Sequence, residues 1–245
     1  MSLPRQLILG IVLLAAVLAL FEFTDIDLRV QDSLYLGHGN WRVEHQDDVL
    51  LNSIFYSGAK TVISVVGTLC GVACFISLVW RKRLAGWRRP LLMMSLSFVI
   101  VPSVLVGLRE VTNVYGPYQL ARYDKDQPYV KVFETYPKTF NGQPYRQHSR
   151  GKCFPAGHAT GGFAMMMLFF VLRGPLLRWL GLAFALAAGW AMGLYQTCSG
   201  KHFLSHTVVT MIGAWILIVL IVMFVNRLLP ATPMPQRPAA DPSKP

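Results

Sequence analysis

The sequence predicts an all-α integral membrane protein, a bundle of six transmembrane helices with both chain ends in the cytoplasm. Three observations predict it. The chain of 245 residues is 53% hydrophobic and only 14% charged, too apolar for an ordinary soluble domain. Its apolar residues gather into six runs, against a requirement of about 20 residues for a helix that crosses a bilayer. Its charges segregate by sign between those runs.

The first run covers Leu7 to Phe21, with Arg5 ahead of it. A secretory signal peptide begins in the same way, but no clear small-x-small cleavage site leads into a soluble mature domain. The run therefore reads as an uncleaved span, and the later topology is the same on either reading. The segment after it carries Glu22, Asp25, Asp27, Asp32, Glu44, Asp47 and Asp48. It also holds the turn signal Leu36-Gly37-His38-Gly39-Asn40, and one or two interfacial helices are expected around Gln46 to Tyr56. The second run, Thr61 to Trp80, is followed by Arg81, Lys82, Arg83, Arg88 and Arg89 with no acid among them.

The third run is Leu91 to Leu108. The long polar loop that follows contains Pro117, Pro128, Pro137 and Pro144, which argue against long helices inside it. Loops of that length in a compact protein are functional or disordered. The fourth run, Ala159 to Leu172, reaches full length only if Phe154 to His158 sits at the membrane edge. A basic link from Arg173 to Arg178 leads to the fifth run, Trp179 to Tyr195. The sixth is Phe203 to Val225, with Arg227 behind it. Residues 1–228 form one membrane domain on this reading, and residues 229–245 are a proline-rich, disordered cytoplasmic tail.

By the positive-inside rule the basic segments are cytoplasmic. Residues 22–60, 109–158 and 196–202 then face outward. The net charge of +11 is explained by this topology and by attraction to anionic headgroups, so nucleic acid is not an expected partner. Cys70 and Cys74 fall inside the second run as small packing residues. Cys153 and Cys198 both lie on the outer face, where a disulfide and two unpaired thiols are equally open.

Chain parity brings three polar clusters to that face. Arg109 and Glu110 close the third run. Lys152-Cys153-Phe154-Pro155-Ala156-Gly157-His158 precedes the fourth, and Gly200-Lys201-His202-Phe203-Leu204-Ser205-His206 opens the sixth. Basic residues and histidines at a membrane face suit chemistry on phosphate. A neutral imidazole attacks phosphorus, and a second, protonated imidazole gives a proton to the leaving oxygen. Cations and helix-start N–H groups hold the non-bridging oxygens. Pro155 suits a helix start, and Gly157 lets an anion approach the backbone.

These pieces resemble the membrane branch of the type 2 phosphatidic acid phosphatase superfamily, whose motifs are K-xxxxxx-RP, PSGH and SR-xxxxx-H-xxx-D. Pro155-Ala156-Gly157-His158 is similar to the second motif, and the stretch from Gly200 to Ser205 to the third. The resemblance implies six spans and a periplasmic site in a bacterial inner membrane. It implies His202 as nucleophile and His158 as general acid, with Arg109 where the first motif has Lys and Pro117 where that motif ends.

Four positions depart from the motifs. Gly116 stands for Arg, Ala156 for Ser, Gln196 for Arg and His206 for Asp. Lys152 and Lys201 are candidates to replace the lost cations. His206, four residues after His202 and on the same helix face, is a candidate to hold the nucleophile's tautomer. The expected catalytic set is thus His202, His158 and His206, and the expected phosphate-binding set Arg109, Lys152, Gly157 and Lys201. No cofactor is expected.

A zinc reading is the weaker one, because H-xxx-H here lacks the Glu of H-E-x-x-H. The implied function is a membrane phosphatase that removes a phosphate or pyrophosphate from a lipid headgroup through a phosphohistidine. Phosphatidic acid, phosphatidylglycerophosphate, undecaprenyl pyrophosphate and lipid A phosphates are the substrates the resemblance implies. A phosphotransferase between lipids and a silent protein that only binds anionic lipid are the alternatives.

Overall fold

The computed structural model describes residues 1–43, 49–80 and 85–229. Its helices are α1 (Leu3–Phe23), α2 (Ile26–Leu34), α3 (Val49–Asn52), α4 (Ala59–Val79), α5 (Ala85–Thr112), α6 (Thr160–Ala164), α7 (Leu168–Val171), α8 (Pro175–Cys198) and α9 (Leu204–Leu228). A π-helical turn, Ser53–Gly58, joins α3 to α4. Two short antiparallel hairpins pair β1 (Tyr35–Gly37) with β2 (Asn40–Trp41) and β3 (Thr139–Phe140) with β4 (Gln143–Pro144).

Five helical stretches among the described residues are long and apolar enough to cross a membrane: Leu3–Phe23, Leu50–Val79, Gly86–Gln119, Pro175–Cys198 and Leu204–Leu228. The fourth run expected as a span is instead the shorter apolar stretch Thr160–Val171. It is built from α6, a 3₁₀ turn over Met165–Met167, and α7. Its start is buried in the bundle. Gly162 lies so close to α8 that an added Cβ would sit 2.6 Å from the Cα of Gly189, and Ala159, Phe163, Met166 and Met167 are buried. The stretch is a core element wedged between longer helices. The fifth run is longer than its apolar core suggested, because Gly174 turns at φ +83° and Pro175 starts α8, a position where proline's missing N–H costs nothing.

The core lies where α5, α6, α8 and α9 meet, with Val101, Phe163, Ala185, Ala214 and Ile218 at its centre. Helix α1 packs along α9, and α4 leans on α5. The outer faces of α1 and α4 keep large apolar side chains exposed, among them Leu9, Val65 and Phe75. Such faces are stable in hydrocarbon rather than in water.

Above the helices sits an aromatic cap. Trp41, Tyr115, Leu120, Tyr123 and Phe203 form its buried centre, with Tyr35, Tyr129 and Tyr136 around it. Arg122 clamps it with a two-pronged bond to Asp32, Nε–Oδ1 2.8 Å and Nη2–Oδ2 2.7 Å. Arg150 donates to the Val111 carbonyl. As expected for the proline-containing loop, residues 113–158 hold no long helix, only 3₁₀ turns and the β3–β4 hairpin. The segment Glu44 to Asp48, the basic residues Arg81 to Arg83 and the tail beyond Leu229 lie outside the described residues.

Candidate functional site

Each polar cluster reaches the site from a helix end. The last turn of α5 carries Arg109 and Glu110. His158 lies in the turn just ahead of α6, and His202 in the turn between α8 and α9. Backbone bonds lock these pieces together. Ala156 N donates to the His206 carbonyl at 3.1 Å, and Cys153 N to the Val114 carbonyl at 3.0 Å. Thr210 Oγ1 donates to the carbonyls of Ala156 and His206 at 3.2 and 2.7 Å. The α8–α9 turn closes through Lys201 N and His202 N, which both donate to the Gln196 carbonyl.

The imidazoles converge. The rings of His158 and His202 have centroids 5.4 Å apart, and those of His202 and His206 5.6 Å. Nδ1 of His202 lies 3.3 Å from Nδ1 of His206, a hydrogen bond when one of the two carries the proton, and His202 also bonds the Cys153 backbone. The two do not share a helix face in the simple way their spacing suggested. Phe203 is extended and α9 begins only at Leu204, so His202 bends back from the turn to meet His206. His202 and His206 are buried, whereas His158 is partly open. Burial first, then the neighbouring His206, His158 and Arg109, hold His202 well below the ordinary imidazole range. His202 is therefore a neutral base at physiological pH.

Arg109 anchors its Nε on the Lys152 carbonyl. Its guanidinium lies over Gly157, where an added Cβ would sit 2.7 Å from Nη1. The glycine thus makes room for the arginine, rather than leaving the backbone bare for an anion. Arg109, Gly157 and His158 line one cavity of about 830 Å³. The two lysines expected to replace lost cations are engaged elsewhere. Lys152 is exposed and paired with Glu110 at 2.7 Å. Lys201 sits 4.3 Å over the Tyr118 ring, where burial pushes its ammonium below the usual lysine range.

The four cysteines are free, and buried Cys153 faces Gln119 Oε1 at 3.6 Å. Among the described residues no group of three or more His, Cys, Asp or Glu side chains is arranged to hold a metal ion.

Sequence reasoning missed three residues. Tyr56 presents its ring edge-on to His158, with centroids 5.0 Å apart. Lys60 lines the same cavity as Arg109. Asp27 is buried against the start of α9, where it accepts from Ser205 N at 2.9 Å and from Ser205 Oγ. No spacing rule ties any of them to the motifs; Asp27 only looked like one more outward-facing acid.

Asp27 caps α9 from another helix, satisfying an N–H that has no partner in the helix itself. Burial raises its pKa from 3.8 to about 6, against the lowering pull of Ser205 and Lys131. The folded chain therefore binds this proton more tightly than the unfolded chain does. The resulting stability, up to about 3 kcal/mol, is complete below the ordinary carboxylate range and is lost as pH rises through the folded value. Asp27→Asn keeps an oxygen for Ser205 and carries no charge. Its melting temperature relative to the wild type should climb as pH is raised from about 5 to about 8. A difference that stays flat in thermal melts would show that Asp27 does not titrate in this way.

The PAP2 superfamily model matches residues 87–230, more than half of the chain. Comparison with curated proteins and with solved structures returned no match. The matched stretch runs from the start of α5 through the end of α9 and contains Arg109, His158, His202 and His206. The chain belongs to the PAP2 superfamily.

Proposed function

We propose that this protein is a lipid phosphatase of the bacterial inner membrane, removing a phosphate or pyrophosphate from a lipid headgroup at the periplasmic face. Family membership supports a phosphatase-type activity. The observation that carries the finer reading is the pairing of His158 and His202, 5.4 Å apart, beside the Arg109 guanidinium at the end of a membrane-length helix. The outward orientation rests on charge bias: Arg88, Arg89, Arg173, Arg178 and Arg227 sit at the opposite ends of the helices.

In this reading Nε2 of His202 attacks phosphorus while the bond to the leaving oxygen breaks. His158 gives that oxygen its proton. His206 takes up the Nδ1 proton contact and keeps the nucleophilic tautomer in place, the work a carboxylate does in the family motif. Arg109 holds the non-bridging oxygens with its planar fork. Water then attacks the phosphohistidine, His158 accepts the water's proton, and inorganic phosphate leaves.

The test is a panel of lipid phosphates and pyrophosphates with free-phosphate detection, run in detergent with and without chelator. Phosphate release without an acceptor lipid is the expected result. Release only when a second lipid is supplied would make the protein a transferase, and loss of activity in chelator would require a metal.

A further inference from the structure

We propose that Lys60 is the second headgroup cation of this site, and that the groove it caps between α4 and α5 holds an apolar chain of the substrate. This deepens the lipid phosphatase reading and rests on it. The motifs have lost two arginines, at Gly116 and Gln196. Lys152 and Lys201, the nearest cations in sequence to the histidines, are held by Glu110 and by the Tyr118 ring. Lys60 comes from outside the matched stretch of the chain, yet it lines the cavity that also holds Arg109, Gly157 and His158.

Local structure explains how it arrives there. The π-helical turn over Ser53–Gly58 leads straight into α4. Tyr56 meets the His158 ring from this turn, and Lys60, four residues on, follows on the same side of the helix. Turns of this kind recur at functional sites. Lys60 is exposed, and no ion pair occupies it among the described residues. A long, mobile ammonium at the mouth of a cavity suits an anion that arrives from outside the protein.

Below Lys60 the cavity changes character. Its walls are mostly apolar, among them Ile63, Phe98, Pro102 and Val106, with the hydroxyls of Ser64 and Thr68 between them. Val72 and Val99 are 51% and 62% exposed, so the groove is open sideways, on the flank where α4 and α5 would meet lipid. Its volume of about 830 Å³ falls in the range of sites that enclose a small ligand. Cations and an imidazole at one end and hydrocarbon walls at the other match the two ends of a lipid phosphate. A water-soluble phosphate ester would use only the first.

Gly71 provides the means to separate the two halves. It lines the groove, and a Cβ built on it meets nothing within 4 Å, so a leucine there fills the groove without disturbing the backbone. The experiment is calorimetric titration of the detergent-solubilised full chain with dioctanoyl phosphatidic acid and, separately, with inorganic phosphate.

Lys60→Gln should weaken binding of both probes by about tenfold, the value of one charge-assisted contact, and Lys60→Arg should restore it. Gly71→Leu should weaken only the lipid, by a similar factor. Unaltered binding of both probes by Lys60→Gln overturns the cation assignment. Unaltered lipid binding by Gly71→Leu overturns the groove, and a wild type that binds neither probe overturns both. If the binding differences appear but the wild type releases no phosphate, hydrolysis is the part that fails and the cradle stands.

Discussion

Replacing His202 by alanine should abolish phosphate release, with turnover falling by more than about 10⁴-fold, as when other covalent catalysts lose their nucleophile. The expectation follows from the ring's surroundings. His202 is buried, its Nδ1 is 3.3 Å from that of His206, and His158, Arg109 and the Cys153 backbone are its other neighbours. Acid-quenched wild type incubated with a radiolabelled lipid phosphate should carry label on the protein, and His202→Ala should carry none. His202→Gln guards against a folding defect, because it keeps polarity and bulk in the buried turn. Turnover near the wild-type rate in either variant would remove His202 from the nucleophile's role.

The same environment sets a pH dependence. His202 attacks as the neutral imidazole. Burial and nearby positive charge lower its pKa, so the neutral form persists to more acid pH than an exposed histidine allows. The acid limb of kcat/KM should therefore lie below the ordinary imidazole value of 6.5. Removing a cation should relax that pull. In Arg109→Met the acid limb should move upward in pH, in addition to any loss of substrate binding. Comparing the two proteins on one substrate cancels the substrate's own ionisation. A limb that does not move would mean that Arg109 exerts no electrostatic hold on the nucleophile.

His158→Ala should lower kcat by about 10²–10⁴-fold, the usual worth of a positioned general acid, while leaving substrate binding close to normal. His158 is placed for that work: its ring centroid is 5.4 Å from that of His202, and it lines the open cavity beside Arg109. Leaving-group chemistry provides the diagnostic. A nitrophenyl phosphate departs without help from an acid, so the defect should shrink on it and stay large on an alkyl lipid phosphate. An equal defect on both would indicate that His158 positions the phosphate or the turn rather than supplying a proton.

Much of this site was legible in the chain before any coordinates. The positions of Arg109, His158 and His202 at the ends of apolar runs put them at one face by parity alone, and the rings of His158 and His202 do meet. The fate of Lys152 and Lys201 was not legible. Adjacency in sequence to a catalytic histidine says little about which way a long side chain turns, and here Glu110 and Tyr118 capture them. The length of the fourth helix was not legible either: it runs over Thr160–Val171, shorter than the other five apolar stretches. Hydropathy cannot separate a stretch buried by protein from one bathed in lipid, and the start of Thr160–Val171 is packed against α8.

Composition and the alternation of apolar runs with charged loops dictated a helical membrane protein, because in hydrocarbon every backbone polar group needs a partner within its own segment. Short motifs carried the imidazoles, because that chemistry needs particular residue types at fixed spacing. What reaches the site from outside those motifs was settled by packing alone. Asp27 caps α9 from 178 residues away, Tyr56 meets His158 from a π-helical turn, and Lys60 lines the cavity from α4. No local pattern encodes such contacts, since each depends on where two helices come to rest against each other.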